Sequence, residues 1–404
     1  MTDVLLHEEH GEVVRTWREL GYRGEHVVCF DRHLDLKPLS TRNARLCRAA
    51  GDTVDALNRP LPLREADGAY GLDDFWSVGP VSGAVSGLTW IPSFVPRGRP
   101  GRERLLSTVA YIPAPPSVLD RTRFDGDRLV THLCGLDVDI CSFETLANPP
   151  DDFRIDLDLD WFAEAGAPDE IDPRLFGQEL SERGWAGRVD SATFSVRSGF
   201  LTDSQRRIGT ELLAALGRAG SREPAAERAT GPAATLAALQ SNTVLAPDRL
   251  RAVCEQELAD LGGLGLALEG LLRLGGTPSP EDIVIAEQAW LDATAAGVSS
   301  TWLAYRIGLH HFRRRRFEQA RLWLDRTLGS LVDPLEGHAW TMAVLCSTRL
   351  QEFDDAAVRA HGLSDAFPLN ARAAELALAV DDRAGRPRDE ELVRRLDRVR
   401  ELVA

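Results

Sequence analysis

The stretch Val27–Asp35, VVCFDRHLD, decides how the rest of the chain is read. Val27 to Phe30 is a short apolar run of the kind that forms a buried parallel strand. Asp31, His33 and Asp35 follow it. Alternate residues of an extended chain share a face. Two carboxylates and an imidazole therefore converge at the carboxyl end of the strand, where open α/β sheets place their sites. Oxygen and imidazole donors without a thiolate suit Mn²⁺ or a similar divalent ion. The plainer reading is a polar strand exit that caps the next helix. A second acidic strand shifts the balance. Phe153 to Phe162, FRIDLDLDWF, alternates Asp156, Asp158 and Asp160 with Ile155, Leu157 and Leu159. Three carboxylates on one strand face repel one another and are costly to bury unless a cation neutralises them. A solvated edge strand is the competing explanation. The two motifs together point to a metal site.

Working outward, Val4–Leu6 reads as a strand, Glu8, Glu9 and His10 follow it, and Gly11–Leu20 has helical spacing. With the Val27 strand this makes one βαβ unit. It brings His10 near Asp31 if the two strands are neighbours, with His7 as the competing histidine. Thr41–Leu57 reads as helix, and Leu88–Ile91 as a strand ended by Pro92. Pro96–Arg104 reads as a basic, Pro/Gly-rich loop, and Leu106–Ile112 and Leu129–Leu133 as strands. LDVDIC, Leu136–Cys141, repeats the acidic alternation with Asp137 and Asp139 and competes with Asp158 and Asp160 for the metal role. Thr193–Val196 reads as the last strand, with Arg197, Ser198 and Gly199 at its exit, and Leu201–Leu216 as the closing helix.

Five segments occur in order: LLHEEHGEVVRTW, HVVCFDRHLDL, DDFWSVGPVSGAVSGLTWIP, IDLDLDWF and SATFSVRSGFLT. A DxHxD strand followed by a DxD strand resembles the ureohydrolase fold of arginases and agmatinases. The five segments together resemble the uncharacterised protein family UPF0489, some bacterial members of which are peptide arginases. The resemblance spans about the first half of the chain. It implies an α/β, arginase-like parallel sheet with flanking helices and a binuclear Mn²⁺ centre. Asp31 and Asp158 would bridge the ions, His10 and Asp35 would complete one shell, and His33 and Asp160 the other. Asp156 falls where many ureohydrolases carry Ser, and a shift of two residues would make Asp156 and Asp158 the ligands instead. The implied reaction is hydrolysis of an arginine side chain, in a peptide or protein, to ornithine and urea. The chain also departs from the pattern. Arginases carry a Glu near the last strand's exit to hold the guanidinium, and none stands here; Glu144 and Glu164 are substitutes. The proton-shuttling His has His132 as its candidate. A deacetylase or amidase on the same fold, or a non-catalytic peptide-binding scaffold, are the alternatives.

At 404 residues, two or three domains are expected. The formal charge of −15 argues against nucleic-acid binding, which needs clustered Lys and Arg, and suits a cationic partner such as an arginine side chain. Six cysteines lie scattered without CxxC spacing, which reads as reduced thiols. The start has no basic and apolar leader, and no long apolar run suggests a membrane span, so a cytoplasmic protein is expected. The oligomeric state is open. The expected division is 1–216 for the α/β domain, 217–234 for a linker, and 235–404 for a helical domain. Ser279-Pro280-Glu281-Asp282 is a helix start. FxxA recurs at Phe317/Ala320 and Phe353/Ala356, and with Gly308 and Pro368 it resembles tetratricopeptide repeats. Arg313–Arg316 reads as a solvated turn between helices or as a contact for an acidic peptide.

Overall fold

The computed structural model describes residues 3–58, 68–94, 97–146, 149, 152–196, 199–221, 262–275, 278–298, 300–328 and 335–404, and the statements below concern these. They group into two compact units: Met1–Leu105 with Thr122–Thr243, and Leu106–Arg121 with Val244–Ala404.

The first unit is built on one sheet. Its strands are β1 (Leu5–His7), β2 (Glu25–Phe30), β3 (Val85–Ile91), β4 (Arg123–Asp125), β5 (Arg128–Leu133), β6 (Leu136–Ile140), β7 (Phe153–Asp158) and β8 (Val189–Thr193). The spatial order is β1-β8-β7-β2-β3-β6-β5-β4. The pairs from β1 to β6 are parallel, and β5 and β4 extend the sheet antiparallel. Both faces of the centre are covered, so Val27, Val28, Cys29 and Phe30 are all buried. At the flank β6 alternates buried and open positions, as a half-covered strand does. The helices α1 (Val13–Glu19), α2 (Thr41–Ala50), α3 (Val78–Ser82), α6 (Pro173–Glu182) and α7 (Arg207–Leu216) belong to this unit. Behind the carboxyl ends of β2 and β7, Phe30, Trp161, Phe162 and Phe176 pack at ring separations of 5.0–5.3 Å, edge to face except for the tilted Trp161–Phe176 pair.

Several expectations change. β1 is not next to β2; β8 and β7 stand between them. His10 nevertheless reaches Asp31, at 3.0 Å, from the start of a 3-10 turn, His10–Glu12, that follows the bend at Glu8 and Glu9 after β1. Leu106–Ile112 is not a strand. Helix α4 runs Gly98–Val109, so the expected Pro96–Arg104 loop is also largely helical. The signal was present: Leu105, Leu106, Val109 and Ala110 are buried and recur with helical period. The segment from Leu106, with the short α5 (Val118–Arg121), packs in the second unit, where Ala114 N–H donates to Ala366 O at 3.1 Å and Tyr111 meets Phe367. The last strand ends at Thr193, where it was expected to begin. Of the expected linker, Gly220 still pairs with Val4 in the first unit, and residues from 222 onward lie outside the described set.

The second unit is otherwise eight helices among the described residues: α8 (Gly263–Arg273), α9 (Pro280–Ala295), α10 (Thr301–Arg313), α11 (Phe317–Asp325), α12 (Leu335–Arg349), α13 (Phe353–Ala366), α14 (Ala371–Ala384) and α15 (Glu390–Val403). Ser279 caps α9 in a capping box with Asp282. The tetratricopeptide-like pairing is present in the backbone. Arg315 and Gln351, at equivalent places before Phe317 and Phe353, both take the left-handed conformation, with φ of 59° and 63°. Ala320 and Ala356 are fully buried where paired helices approach. A Cβ at Gly308 would sit 3.0 Å from the Leu324 side chain, tighter than ordinary contact, so α10 and α11 pack closely there. No helix among the described residues is long and apolar enough to cross a membrane.

Candidate metal centre

The site forms where β2, β7 and β8 end. Asp31 leaves β2 and its Oδ1 accepts the His33 N–H at 2.8 Å, a local turn that throws His33 to the same side. Asp35 follows with φ of 47°, a left-handed backbone that costs energy for a non-glycine residue. β7 carries Asp156 and Asp158 and then turns: Asp158 Oδ1 accepts the Asp160 N–H at 3.1 Å and starts a 3-10 turn, Leu159–Phe162. The three aspartates therefore do not share one strand face, as the alternation alone implied. Asp160 is swung toward His33, whose Nδ1 lies 3.0 Å from its Oδ2.

His10 is enclosed by carboxylates. Its Nδ1 lies 3.0 Å from Asp31 Oδ2, 3.2 Å from Asp35 Oδ2 and 3.3 Å from Asp158 Oδ2. Its Nε2 lies 2.6 Å from Asp156 Oδ2, on the opposite side of the ring. Asp156 Oδ1 accepts from Ser191 Oγ on β8 at 2.5 Å. Asp156 thus stands behind the histidine while Asp31, Asp35 and Asp158 stand before it. Phe75 and Trp76 wall the imidazole at ring separations of 4.6 and 6.2 Å, and Phe200 lies 4.5 Å from His33. Ser195 Oγ donates to Asp158 Oδ2 at 2.7 Å, and Trp90 Nε1 to the Asp31 carbonyl at 2.9 Å. Arg32 donates its Nε to the Asp160 carbonyl and its Nη1 to Glu164, so its charge is directed away from the carboxylates.

Five carboxylates and two imidazoles are gathered here, and the side chains of Asp31, Asp156, Asp158 and Asp160 are at most 4 % exposed. Among the described residues no Arg or Lys forms an ion pair with any of the five. The electrostatics follow. Burial, then Asp35, pushes Asp31 up to about 7. Burial and Asp160 push Asp158 well above the carboxylate range. Burial disfavours the charged form of His10, but Asp156, Asp31 and Asp158 outweigh it and raise its pKa well above the usual value. Burial acts likewise on His33, and Asp160 raises it to about 10. Asp160 and Asp156 are held low despite burial by His33 and His10 respectively. Asp31 Oδ2 is buried and makes no well-directed hydrogen bond; its ionic neighbour, His10 Nδ1 at 3.0 Å, is shared with Asp35 and Asp158. A donor set of carboxylate oxygen and imidazole nitrogen, with excess negative charge, fits divalent cations. The groups His10/Cys29/Asp31 and Asp31/His33/Asp160 each bring their donor atoms within 4.8 Å of one another. Burial raises the Cys29 thiol well above its normal value, which keeps it neutral, and its Sγ donates to Asp156 at 3.6 Å. That contact ties it to the carboxylate that meets His10 Nε2.

The remaining candidates separate clearly. His132 pairs with Asp137, which pairs with Gly87, which pairs with His26. That row crosses the amino ends of the parallel strands, so His132 is at the wrong end of the sheet and its Nδ1 is taken by Asp137 at 2.8 Å. Glu144 follows β6 at the right end but is exposed and paired with Arg97 at 2.9 Å. Glu164 is near the site only through Arg32. His7 faces Thr16 Oγ1 at 2.7 Å, and its burial lowers its pKa to about 4. Arg197 and Ser198 lie outside the described residues. Residue reading missed Ser191 and Ser195. The alternation of Ser191, Thr193 and Ser195 along and beyond a fully buried strand was the available signal.

A scan against protein-family models and a search of curated proteins give no match. Solved structures similar to part of this chain include "MamA MSR-1 C2", at 13 % identity and a TM-score of 0.31, covering 42 % of this chain and 92 % of that one. They also include "MamA RS-1 ArsTM double mutant", at 11 % and 0.32, covering 42 % and 90 %.

Proposed function

We propose that the first unit is a metal-dependent C–N hydrolase of the ureohydrolase type, acting on arginine side chains of a peptide or protein through a binuclear Mn²⁺ centre. The observation that carries this reading is the buried excess of carboxylate over cation around His10 and His33. His10 Nδ1 and Asp35 would hold one ion, His33 Nδ1 and Asp160 the other, and Asp31 and Asp158 lie between the two sets. When bound, the pair supplies Lewis acidity and lowers the pKa of water enough to give a nucleophile at neutral pH. The chain's own part is positioning. With an ion at Nδ1, His10 Nε2–H would donate to Asp156, which fixes the tautomer and leaves the Nδ1 lone pair facing inward. Ser191 holds Asp156 and Ser195 holds Asp158. Phe75 and Trp76 prevent rotation of the His10 ring. The negative field draws a guanidinium in. Water adds to the guanidinium carbon, a C–N bond breaks, and the products are urea and the ornithine amine.

A second reading has its own support. The exit of β8 places Ser195, not a carboxylate, beside Asp158. A site without a guanidinium anchor suits an amidase or deacetylase, in which the same nucleophile meets an acyl carbon. Incubation of the Mn²⁺-loaded protein with arginine-containing and acetyl-lysine-containing peptides separates the two by mass. Loss of the urea fragment from the first, absent in Asp158→Ala, supports the arginase reading. Loss of acetyl from the second supports the alternative, and unchanged turnover in Asp158→Ala removes both.

A further inference from the structure

The donors of the metal centre differ in how open they are. The side chains of His10, Asp31, Asp35, Asp156, Asp158 and Asp160 are at most 10 % exposed, and that of His33 is 40 % exposed. A substrate therefore arrives beside His33. Phe200 stands there. Its ring is part-buried and lies 4.5 Å from the imidazole, tilted by 42°. The backbone fixes its place. Ser195, whose hydroxyl donates to Asp158, gives its N–H to the Glu8 carbonyl and accepts the Leu201 N–H, both at 3.0 Å. Gly199 turns with φ of 85°, and Leu201 is buried, so Phe200 lies between a left-handed glycine and an anchored residue. Other aromatic rings near the site are taken. Phe75, Trp76 and Trp90 are at most 2 % exposed, and the Phe94 face carries the Arg104 guanidinium at 3.5 Å. From Phe194 to Leu201 the sequence holds no Asp or Glu. The stretch that leaves β8 therefore offers an aromatic ring at the open side of the site, and no carboxylate.

We propose that Phe200 is a specificity-determining residue that seats the substrate guanidinium on its ring, in place of a carboxylate anchor. This rests on the hydrolase reading and names how its substrate is held. A guanidinium is flat and weakly hydrated, and it stacks on aromatic faces. The buried carboxylates draw a cation toward the site but do not set the plane in which it lies. A ring beside His33 does. A lysine ammonium is compact and strongly hydrated and gains less from the same face. A neutral acyl amide brings no charge to it. The seat therefore favours arginine side chains over both.

The test is fluorescence anisotropy of a short labelled peptide with one arginine, and of its citrulline twin, on the metal-free full-length protein, where binding is read without turnover. The arginine peptide is expected to bind the unaltered protein and Phe200→Tyr alike, and Phe200→Leu about three- to ten-fold more weakly. The citrulline peptide keeps the shape and loses the charge, and it is expected to bind all three weakly and equally. Elemental analysis is expected to find the same Mn²⁺ content in Phe200→Leu as in the unaltered protein. On the Mn²⁺-loaded protein, urea release by Phe200→Leu is expected to show a raised KM with kcat nearly unchanged. Full binding of the arginine peptide by Phe200→Leu, no binding of it by the unaltered protein, or an equal loss for the citrulline peptide would overturn the assignment. So would a loss of Mn²⁺ from Phe200→Leu, which would make the ring a support for His33. An absence of urea release from the unaltered protein, with the effect of Phe200 on arginine binding intact, would strike the hydrolase reading and leave the guanidinium seat standing.

Discussion

β7 and β6 spell the same alternation, IDLD and LDVD, and the protein treats them in opposite ways. On β6 each carboxylate has a protein cation or a donor in reach. Asp139 pairs with Arg128, and Asp137 pairs with His132 and is 76 % exposed. On β7 Asp156 and Asp158 are buried at the centre of a parallel sheet, and their ionic partners are two-sided contacts with one histidine. The flank position of β6 leaves room for long side chains from the antiparallel β5 to supply charge. The central position of β7 does not, because both neighbours are parallel strands covered on both faces. An acidic strand on the sheet's half-covered flank is ordinary solvation. The same pattern in the centre, without protein cations, leaves the charge to be balanced from outside.

Substitutions that neutralise a member of each pair sharpen this contrast. Asp31→Asn removes a buried charge that the metal-free protein holds at a cost. It is expected to raise the melting temperature of the metal-free protein at pH 8 by several degrees, on the order of 1–2 kcal/mol, while abolishing the stabilisation that Mn²⁺ gives. Calorimetry with and without Mn²⁺ checks both; a fall in metal-free stability would break the account of the charge excess.

The pH response comes next. Asp31 titrates near 7 in the folded metal-free chain and at the ordinary value when unfolded. Folding therefore takes up protons between these values, and its contribution to stability is largest at low pH and lost as pH rises to about 7. The raised His33 acts in the same sense, up to its folded value of about 10. Metal binding requires the deprotonated carboxylates, so Mn²⁺ affinity and Mn²⁺-induced stabilisation are expected to grow from pH 5 to pH 8. Thermal melts across that range would contradict this if the Mn²⁺ increment were flat or shrank.

Asp156→Asn tests the support behind His10. Without an acceptor of full charge the tautomer is less well fixed, and Mn²⁺ affinity is expected to fall by about 10–100-fold, measured by competition with a chelator. Unchanged affinity would place Asp156 outside the site. The smallest effect belongs to β6. Asp139→Asn breaks a part-exposed ion pair and is expected to cost below about 1 kcal/mol, with metal binding unchanged. A loss of metal there would reverse the contrast between the strands.

Much of the site was legible because its parts are local. DRHLD and DLDLD each place several donors on one short segment, and strand periodicity is enough to group them. His10 was legible by position after a strand, though the route by which it reaches Asp31 was not, since strand order in a parallel sheet is set by crossovers that leave no local mark. The bend that brings Asp160 to His33 depends on Asp158 capping its own turn, which alternation conceals. That Asp156 lies behind His10 and Asp160 beside His33 needed the orientation of the two imidazole rings. α4 was misread because its apolar residues form a short block, and a block of four to eight fits either period until its partners are known. The 36-residue repeat was legible from FxxA, and Arg315 and Gln351 give it a backbone counterpart.

The central claim is that the carboxylates at the ends of β2 and β7 hold divalent metal. Elemental analysis of protein purified without chelators and supplied with Mn²⁺, beside Asp158→Ala and Asp139→Ala, tests it most directly. The account predicts about two Mn per chain in the unaltered protein and in Asp139→Ala, with most of it lost in Asp158→Ala. No stoichiometric metal in the unaltered protein, or the same content in all three, would contradict it.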